Sequence, residues 1–273
     1  MDLLAALNWG PSPEIFTIPA FELIGITFGP IQPRWYGLLF VGGFIIGYYL
    51  MAWVYKNEKK SQADLESLII FMLISTVVGA RLGHCFFYDP VYYLTHPLEI
   101  LYVWKGGLAS HGAGIGILIG LFMYSKRRKG ITYLWTLDRV AIAVPISAAL
   151  VRIGNFINSE IIGRPSDIAW SVVFTNVDFI PRHPSQIYEA LAYTTIFVVL
   201  IVMYKKYKSN TPKGLLSGLL LTMLFTARFF IEFFKETQSD FENTLPIDMG
   251  QILSIPMVIA GILLMIYGKK IKL

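Results

Sequence analysis

The chain has 273 residues, of which 55% are hydrophobic and only 15% are charged, and its mean hydropathy is +0.58. These values exclude an ordinary soluble domain of this length. The net charge of +5 comes from short clusters of cations and does not indicate nucleic-acid binding, and the single cysteine, Cys85, excludes an internal disulfide and a multi-cysteine metal site.

Seven apolar segments of roughly 20 residues follow one another along the chain, and this length suffices to cross the hydrocarbon core of a bilayer. The predicted spans are 36–54, 68–88, 108–124, 132–158, 186–204, 215–234 and 249–267. The sequence therefore predicts an all-α integral membrane protein with seven transmembrane helices, forming one polytopic domain over residues 1–273.

The distribution of Lys and Arg along the chain predicts the orientation of this domain in the membrane. Fourteen of the 23 Lys and Arg residues lie in four clusters, at 56–60, 126–129, 205–213 and 269–272. Threading the seven spans in order puts every cluster on the same side of the membrane. By the positive-inside rule that side is the cytoplasm, so we expect the N terminus outside and the C terminus inside.

The longest segment predicted on the outer side is 159–185. It contains three prolines and a strand-like stretch at 168–174. We expect this segment to form a small periplasmic cap.

The fourth span ends in the motif RIGNFINSEIIGR, residues 152–164. On a helix, Arg152, Asn155, Ser159 and Glu160 would share one face. A cation facing lipid would cost at least about 2.5 kcal/mol, so Arg152 is expected to face protein, water or an anion. A structural ion pair between Arg152 and Glu160 is the alternative.

The sixth span repeats this combination, with Arg228 and Glu232 four residues apart. The two side chains could form a simple ion pair within one helix. Arginines on two different spans instead favour a shared anion, because the planar guanidinium group suits phosphate.

Two further polar side chains lie at the outer ends of spans. His111 opens the third span and is a candidate proton acceptor, although a structural histidine is an equal alternative. Gly112, Gly116 and Gly120 have the spacing that lets transmembrane helices approach closely. Tyr36, in the first span, is a candidate site residue or a member of an interfacial aromatic belt.

The remaining candidates are weaker. Gln186 and Glu189 enter the fifth span from the motif RHPSQIYE on neighbouring helix faces, and a turn with a helix cap explains part of that motif. Asp138 and Arg139 are expected to pair with other helices, with Arg81 as one candidate.

These residues carry a resemblance to the prolipoprotein diacylglyceryl transferase family over nearly the whole chain. The matching stretches are 34–37, 79–81, 106–112, 152–164, 182–189, 228–232 and 249–254, and the thirteen-residue motif at 152–164 is the most specific. The chain departs from the family's usual residues at Val151, His84, Lys235 and Leu224.

The resemblance implies a seven-span enzyme of the bacterial inner membrane with its active site towards the periplasm. The implied reaction begins lipoprotein maturation. It moves the diacylglyceryl group of phosphatidylglycerol to the lipobox cysteine of a prolipoprotein signal peptide and releases glycerol phosphate. The partners are thus a membrane lipid and a peptide, without nucleic acid, and neither cofactor nor metal is needed.

Roles follow by the same resemblance. His111 is expected to take the thiol proton, and Arg152 and Arg228 to bind the donor's phosphate. The residues expected to bind lipid or to shape the site are Tyr36, Asn155, Glu160, Gly163, Gln186, Glu189 and Glu232.

Two other classes compete with this interpretation. A transporter could use intramembrane arginines along an anion path, but two corresponding halves with broken helices are not visible. A phospholipid headgroup transferase would need clustered aspartates for a metal, and the sequence has no such cluster.

Overall fold

The computed structural model describes residues 7–24, 26–237 and 247–270, and most of them are helical. The α-helices are α1 (Trp35–Asn57), α2 (Gln62–Phe87), α3 (Pro90–Thr95), α4 (Ser110–Arg127), α5 (Tyr133–Ile157), α6 (Ser185–Tyr207), α7 (Leu215–Ile231) and α8 (Met249–Tyr267). The short strands are β1 (Leu7–Trp9), β2 (Phe21–Leu23), β3 (Ile26–Phe28), β4 (Val172–Phe174) and β5 (Pro181–Arg182). The N-terminal residues 1–6 and Lys272 of the last basic cluster lie outside the described residues.

Six of the described helices are long and apolar enough to cross a membrane: α1, α2, α5, α6, α7 and α8, the last three with short extensions. Helix α4 forms where the third span is predicted, but it is not among these six. Its glycines, His111 and the terminal Lys126 and Arg127 make it less apolar than its neighbours. The fold is therefore mostly helical with six candidate spans, and the seventh span stays a prediction.

By internal contacts the chain divides into two compact units. The first unit comprises the described residues of Met1–Leu50 and Val140–Lys270, and the second comprises Met51–Arg139. Each unit has its own packing and its own set of polar contacts.

Glycines hold α2 and α4 together in the second unit. A Cβ atom on Gly79 would lie 2.5 Å from the carbonyl oxygen of Gly112, and one on Gly83 would lie 2.6 Å from the Cα atom of Gly112. A side chain on Gly116 would collide with the Ser75 carbonyl. The prediction that the α4 glycines serve close helix packing is thus confirmed.

Buried arginines of the second unit find two different kinds of partner. Arg139 lies 2.9 Å from Glu58, whose carboxylate also accepts a hydrogen bond of 2.7 Å from the Trp135 indole. Arg81 instead donates to backbone carbonyls between residues 99 and 107, at 2.6 to 3.3 Å. Arg81 is thus held by the loop that precedes α4, and its suggested pairing with Asp138 and Arg139 stays a prediction.

Short strands correct the all-α expectation for the first unit. Strands β1, β4 and β5 form a three-stranded sheet, in which β1 runs parallel to β4 and β5 antiparallel to it. A separate antiparallel pair joins β2 and β3. The strand-like stretch at 168–174 contains β4, and three-residue strands such as β1 are too short for a periodic signal.

A small apolar cluster ties this sheet to the end of α5. Phe156 packs with Val172 and Phe174, and Trp9 packs against this cluster. The indole of Trp9 stacks on the Phe156 ring at 4.6 Å and donates a hydrogen bond of 2.9 Å to the Phe156 carbonyl. The sheet therefore holds the C-terminal end of α5, immediately beside Asn155.

Helices α7 and α8 of the first unit pack closely at Gly218 and Gly261, whose added Cβ atoms would each meet the other glycine's carbonyl oxygen at 2.6 to 2.7 Å. At the other end of this pair, Gly250 leaves space for the Glu232 carboxyl group, to which its Cβ would come as near as 2.5 Å. Glu232 thus lies against the first turn of α8, where unpaired backbone N–H groups favour negative charge.

Candidate functional site

Polar side chains of the motif at 152–164 form a chain of contacts at the end of α5. Arg152 donates to Asn155 Oδ1 at 3.2 Å, and Asn155 Nδ2 donates to Glu160 Oε2 at 2.9 Å. The other oxygen of Glu160 accepts from Asn158 Nδ2 at 3.1 Å. Two amide groups therefore orient a carboxylate that is itself exposed.

Glu160 does not lie on the helix, contrary to the predicted shared face. Helix α5 ends at Ile157, and a tight turn follows in which Ser159 and Ile161 both have φ +56°. Such a left-handed conformation is strained for residues other than glycine, most of all for a β-branched one. This turn, and not helical periodicity, directs Glu160 towards Asn155.

The buried ion pair of Arg152 is made with Glu189 of α6. Arg152 Nε lies 2.8 Å from Glu189 Oε2, and the Glu189 side chain is fully buried. Tyr193, one turn further along α6, donates to Glu189 Oε1 at 3.3 Å. The alternative of a direct Arg152–Glu160 pair is therefore wrong, because Arg152 reaches Glu160 only through Asn155.

A lysine extends this network towards α7. Lys235 Nζ lies 3.1 Å from Glu189 Oε1 and 3.3 Å from Glu232 Oε2. Arg228 Nε lies 4.0 Å from the same oxygen of Glu232, at the limit of an ion pair. The predicted Arg228–Glu232 pair thus exists in a loose form and is shared with Lys235.

Three chain segments meet at Gly163. Its N–H donates to the His183 carbonyl at 3.1 Å, and an added Cβ would lie 2.8 Å from the Phe234 carbonyl oxygen. A side chain is excluded here because it would separate the two neighbouring segments. Gln186 Nε2 donates to the Glu160 carbonyl at 2.6 Å and so holds the strained turn to the start of α6.

Tyr36 borders the same group of residues from α1. An added Cβ on Gly154 would lie 3.0 Å from the Tyr36 ring, so the ring lies directly on the α5 backbone. The Tyr36 hydroxyl interacts electrostatically with both Glu160 and Arg152. The role of Tyr36, as a site residue or as a member of an aromatic belt, stays a prediction.

The loop between α5 and α6 carries its own ion pairs. Arg182 donates to Asp178 Oδ2 at 2.6 Å and to Glu236 Oε2 at 3.0 Å. The hydrogen bonds that Arg182 donates to Asp178 hold the pKa of Asp178 below its ordinary value and raise the pKa of Arg182. Partial burial lowers the pKa of His183.

His111 belongs to a different part of the chain. It is exposed on the first turn of α4 and lies in the second compact unit, whereas the other nine predicted site residues lie in the first. The loop that enters α4 is held by Arg81, and Ala109 N donates to the Ala80 carbonyl at 2.9 Å. The backbone before His111 is therefore well anchored.

Sequence reasoning missed two members of the network, Lys235 and Tyr193. Lys235 lies three residues after Glu232, and Tyr193 lies four residues after Glu189, so helical spacing from two predicted residues could have found both. Within the described residues, no group of three or more His, Cys, Asp or Glu side chains could hold a metal ion.

Apolar helices around a network of partly buried arginines, a buried lysine and carboxylates define a polytopic membrane protein with a charged site. A family model for prolipoprotein diacylglyceryl transferase matches residues 23–267. The chain therefore belongs to the prolipoprotein diacylglyceryl transferase family, as its motifs predict, and it is a transferase.

Relatives named phosphatidylglycerol–prolipoprotein diacylglyceryl transferase match along almost their whole length. The protein from Chloroherpeton thalassium is 46% identical over 99% of this chain and 97% of its own length. The protein from Tolumonas auensis is 47% identical over 90% and 95%, and that from Bacteroides fragilis is 43% identical over 98% of both chains.

Proposed function

We propose that this chain transfers the diacylglyceryl group of phosphatidylglycerol to the thiol of the lipobox cysteine of a prolipoprotein, the first step of lipoprotein maturation. The sulfur displaces the phosphate oxygen from the glyceryl carbon. A thioether forms, glycerol phosphate leaves, and the thiol proton passes to a base. Membership of the family and the names of its relatives support this assignment.

The observation that carries the chemistry is the charge of the network of ion pairs around Glu189 and Glu232. Arg152, Lys235 and Arg228 share the carboxylates of Glu189 and Glu232, so three cations face two anions. These ion pairs leave one positive charge over, and the further carboxylate that Asn155 links to Arg152, that of Glu160, is exposed to solvent. Fixed cations near the leaving phosphate would stabilise the charge that develops there in the transition state.

The remaining predicted residues take supporting roles in this proposal. Asn155, Glu160 and Gly163 shape the site, Tyr36 holds the lipid headgroup, and Gln186 with Glu189 orients the neighbouring side chains. These roles agree with the contacts described above, in which Asn155 links Arg152 to Glu160 and Gln186 holds the turn at Glu160.

His111 is proposed as the base. A thiol with a pKa near 8.5 is only a few per cent ionised at neutral pH, so a proton acceptor accelerates the attack. The exposure of His111 on an anchored helix start is compatible with this role. The chemistry requires no metal or cofactor, because the peptide brings the nucleophile and the lipid brings the leaving group.

We also propose the finer topology. Seven spans, including α4, place the N terminus outside and the C terminus in the cytoplasm, and residues 159–185 form a periplasmic cap of one polytopic domain. The basic clusters support this orientation, and the site then opens towards the periplasmic face of the inner membrane.

A reaction with purified components tests the proposed function. The protein is mixed in detergent with phosphatidylglycerol and a synthetic lipobox peptide, and the products are analysed by mass spectrometry. We expect a peptide heavier by one diacylglyceryl group and an equal amount of glycerol phosphate, whereas a peptide with serine in place of the lipobox cysteine should stay unmodified.

Other products would contradict the proposed function. Modified phospholipid without peptide would indicate a headgroup transferase, and anion flux into proteoliposomes without lipidated peptide would indicate a transporter.

A further inference from the structure

Lys235 occupies the centre of the buried network, although the family resemblance marks it only as a departure. Its side chain is 4% exposed, and its ammonium group touches two carboxylates from different helical segments, Glu189 and Glu232. A buried lysine is rare unless it is paired. Two carboxylate partners therefore account for its burial.

Lys235 connects the two predicted phosphate-binding arginines. Glu189 offers one oxygen to Lys235 and the other to Arg152, and Glu232 offers the same oxygen to Lys235 and, more distantly, to Arg228. Each arginine thus shares one carboxylate partner with Lys235. A displacement of Lys235 would release both carboxylates and would let both guanidinium groups shift.

The backbone of Lys235 is anchored to the motif at 152–164. Lys235 forms an antiparallel bridge with Gly163, and its carbonyl accepts a hydrogen bond of 2.7 Å from Arg164 Nε. Arg164 in turn lies 3.2 Å from Asp248, at the start of α8. The position of the ammonium group is therefore set by α7, by α8 and by the loop after α5.

The charge count gives Lys235 a second effect. Within the direct ion pairs, Arg152 and Arg228 alone would be balanced by Glu189 and Glu232, so Lys235 adds one positive charge to this group. In a site of low dielectric constant, one unit charge at several ångströms changes the binding of an anion by more than tenfold.

We infer that Lys235 is a positioning residue for the lipid phosphate: it holds Glu189 and Glu232 so that Arg152 and Arg228 face one anion, and it supplies the positive charge that the phosphodiester balances. This inference rests on the proposed function.

Three variants test it by steady-state kinetics with phosphatidylglycerol. Lys235→Arg keeps the charge, and its KM should stay within about threefold of wild type. Lys235→Met keeps the length without the charge, and its KM should rise at least about tenfold, with a smaller change in kcat. Lys235→Met combined with Glu232→Gln restores the surplus charge and should recover part of the lost affinity.

The matched control is Lys205→Met, which removes an exposed lysine from the last turn of α6 and should leave KM unchanged. Folding of each variant is checked by thermal unfolding. Wild-type KM in folded Lys235→Met would overturn the inference and leave the proposed function standing.

A second comparison keeps the inference testable if Lys235→Met does not fold. In that case the double variant is measured without the single variant. Its Glu189 stays paired with Arg152, and residue 232 no longer carries a charge. A KM raised by less than about tenfold would support the charge balance, and a rise of about tenfold or more, as expected for loss of the charge alone, would overturn it. Absence of lipidated peptide with the wild-type protein would instead contradict the proposed function.

Discussion

At the scale of single residues, Arg152 is the side chain whose structural and catalytic roles can be distinguished best by experiment. Its guanidinium group lies 2.8 Å from Glu189 and donates to Asn155 at 3.2 Å. An arginine carries several donors in a rigid plane, so these two partners leave the group able to bind an anion as well. A purely structural arginine would act through Glu189 alone.

Substitution of Arg152 distinguishes these roles. Arg152→Lys keeps the charge but loses the planar set of donors, so its turnover should fall, and Arg152→Gln should be worse. Loss of a charged contact made mainly in the transition state should cost roughly 3 kcal/mol, about a hundredfold in turnover. Kinetics on folded, purified variants measures the effect.

The control adds Glu189→Gln to Arg152→Gln. If Arg152 served only to neutralise Glu189, the double variant would regain full activity. Wild-type turnover in both Arg152→Gln and Arg228→Gln would likewise contradict phosphate binding.

Ser159 adds a prediction about stability. It is buried, its backbone has φ +56°, and its hydroxyl has no hydrogen-bond partner among the described residues. Ser159→Gly removes the unfavourable φ angle and the unpartnered hydroxyl, although it also increases the conformational entropy of the unfolded chain. The free energy of unfolding should therefore rise by up to about 1 kcal/mol. Thermal unfolding in detergent measures the change.

Ser159→Ala is the matched control, because alanine removes the unpartnered hydroxyl but retains the unfavourable φ angle. The glycine variant should therefore be the more stable of the two. A lower melting temperature for Ser159→Gly than for Ser159→Ala would show that strain at this turn is negligible.

At the scale of elements, the sequence predicts helices well and their partners poorly. Apolar length places five of the six candidate spans within about three residues, because helix formation in a membrane depends on local composition, whereas α2 begins at Gln62, before the predicted start at residue 68. The Arg152–Glu189 pair joins two helices, and periodicity within one helix carries no information about a neighbouring helix. The turn at Ser159 was missed because the motif lacks a glycine at that position.

The small sheet shows the same limit. Strand β1 has three residues and acquires its structure from β4, far along the chain. Its sequence therefore predicts nothing by itself, although the stretch around β4 is strand-like. In the candidate site, the spacing to Glu232 could have indicated Lys235, while its second contact, with Glu189 on another helix, required the structure.

Strand β1 should contribute to stability through Trp9, which stacks on Phe156 and donates a hydrogen bond to its carbonyl. Trp9→Phe keeps an aromatic ring and loses the hydrogen bond, so the free energy of unfolding should fall by about 1 kcal/mol. Thermal unfolding measures this loss. Trp104→Phe is the control, since Trp104 is 75% exposed, and an equal effect of the two substitutions would contradict the role of Trp9.

At the scale of the whole molecule, the basic clusters and the candidate spans must agree on one topology. With seven spans, a tag inserted after Lys129 and a tag at the C terminus should both be protected in intact spheroplasts, whereas a tag near Asp178 should be accessible. Protease accessibility or antibody labelling measures these positions. A tag at Asp178 on the same side as one at Lys129 would refute the seven-span topology.

The parallel pairing of β1 with β4 also sets an order of events during synthesis. Pro11, just after β1, accepts a hydrogen bond from Asn176, 165 positions further along the chain. At ordinary rates of translation the ribosome needs roughly ten to thirty seconds to make that length. The nascent β1 must therefore remain unpaired until its partner strand emerges, and the end of α5 acquires its support only then. Premature release of the chain before β4 would yield inserted helices without a finished charged site.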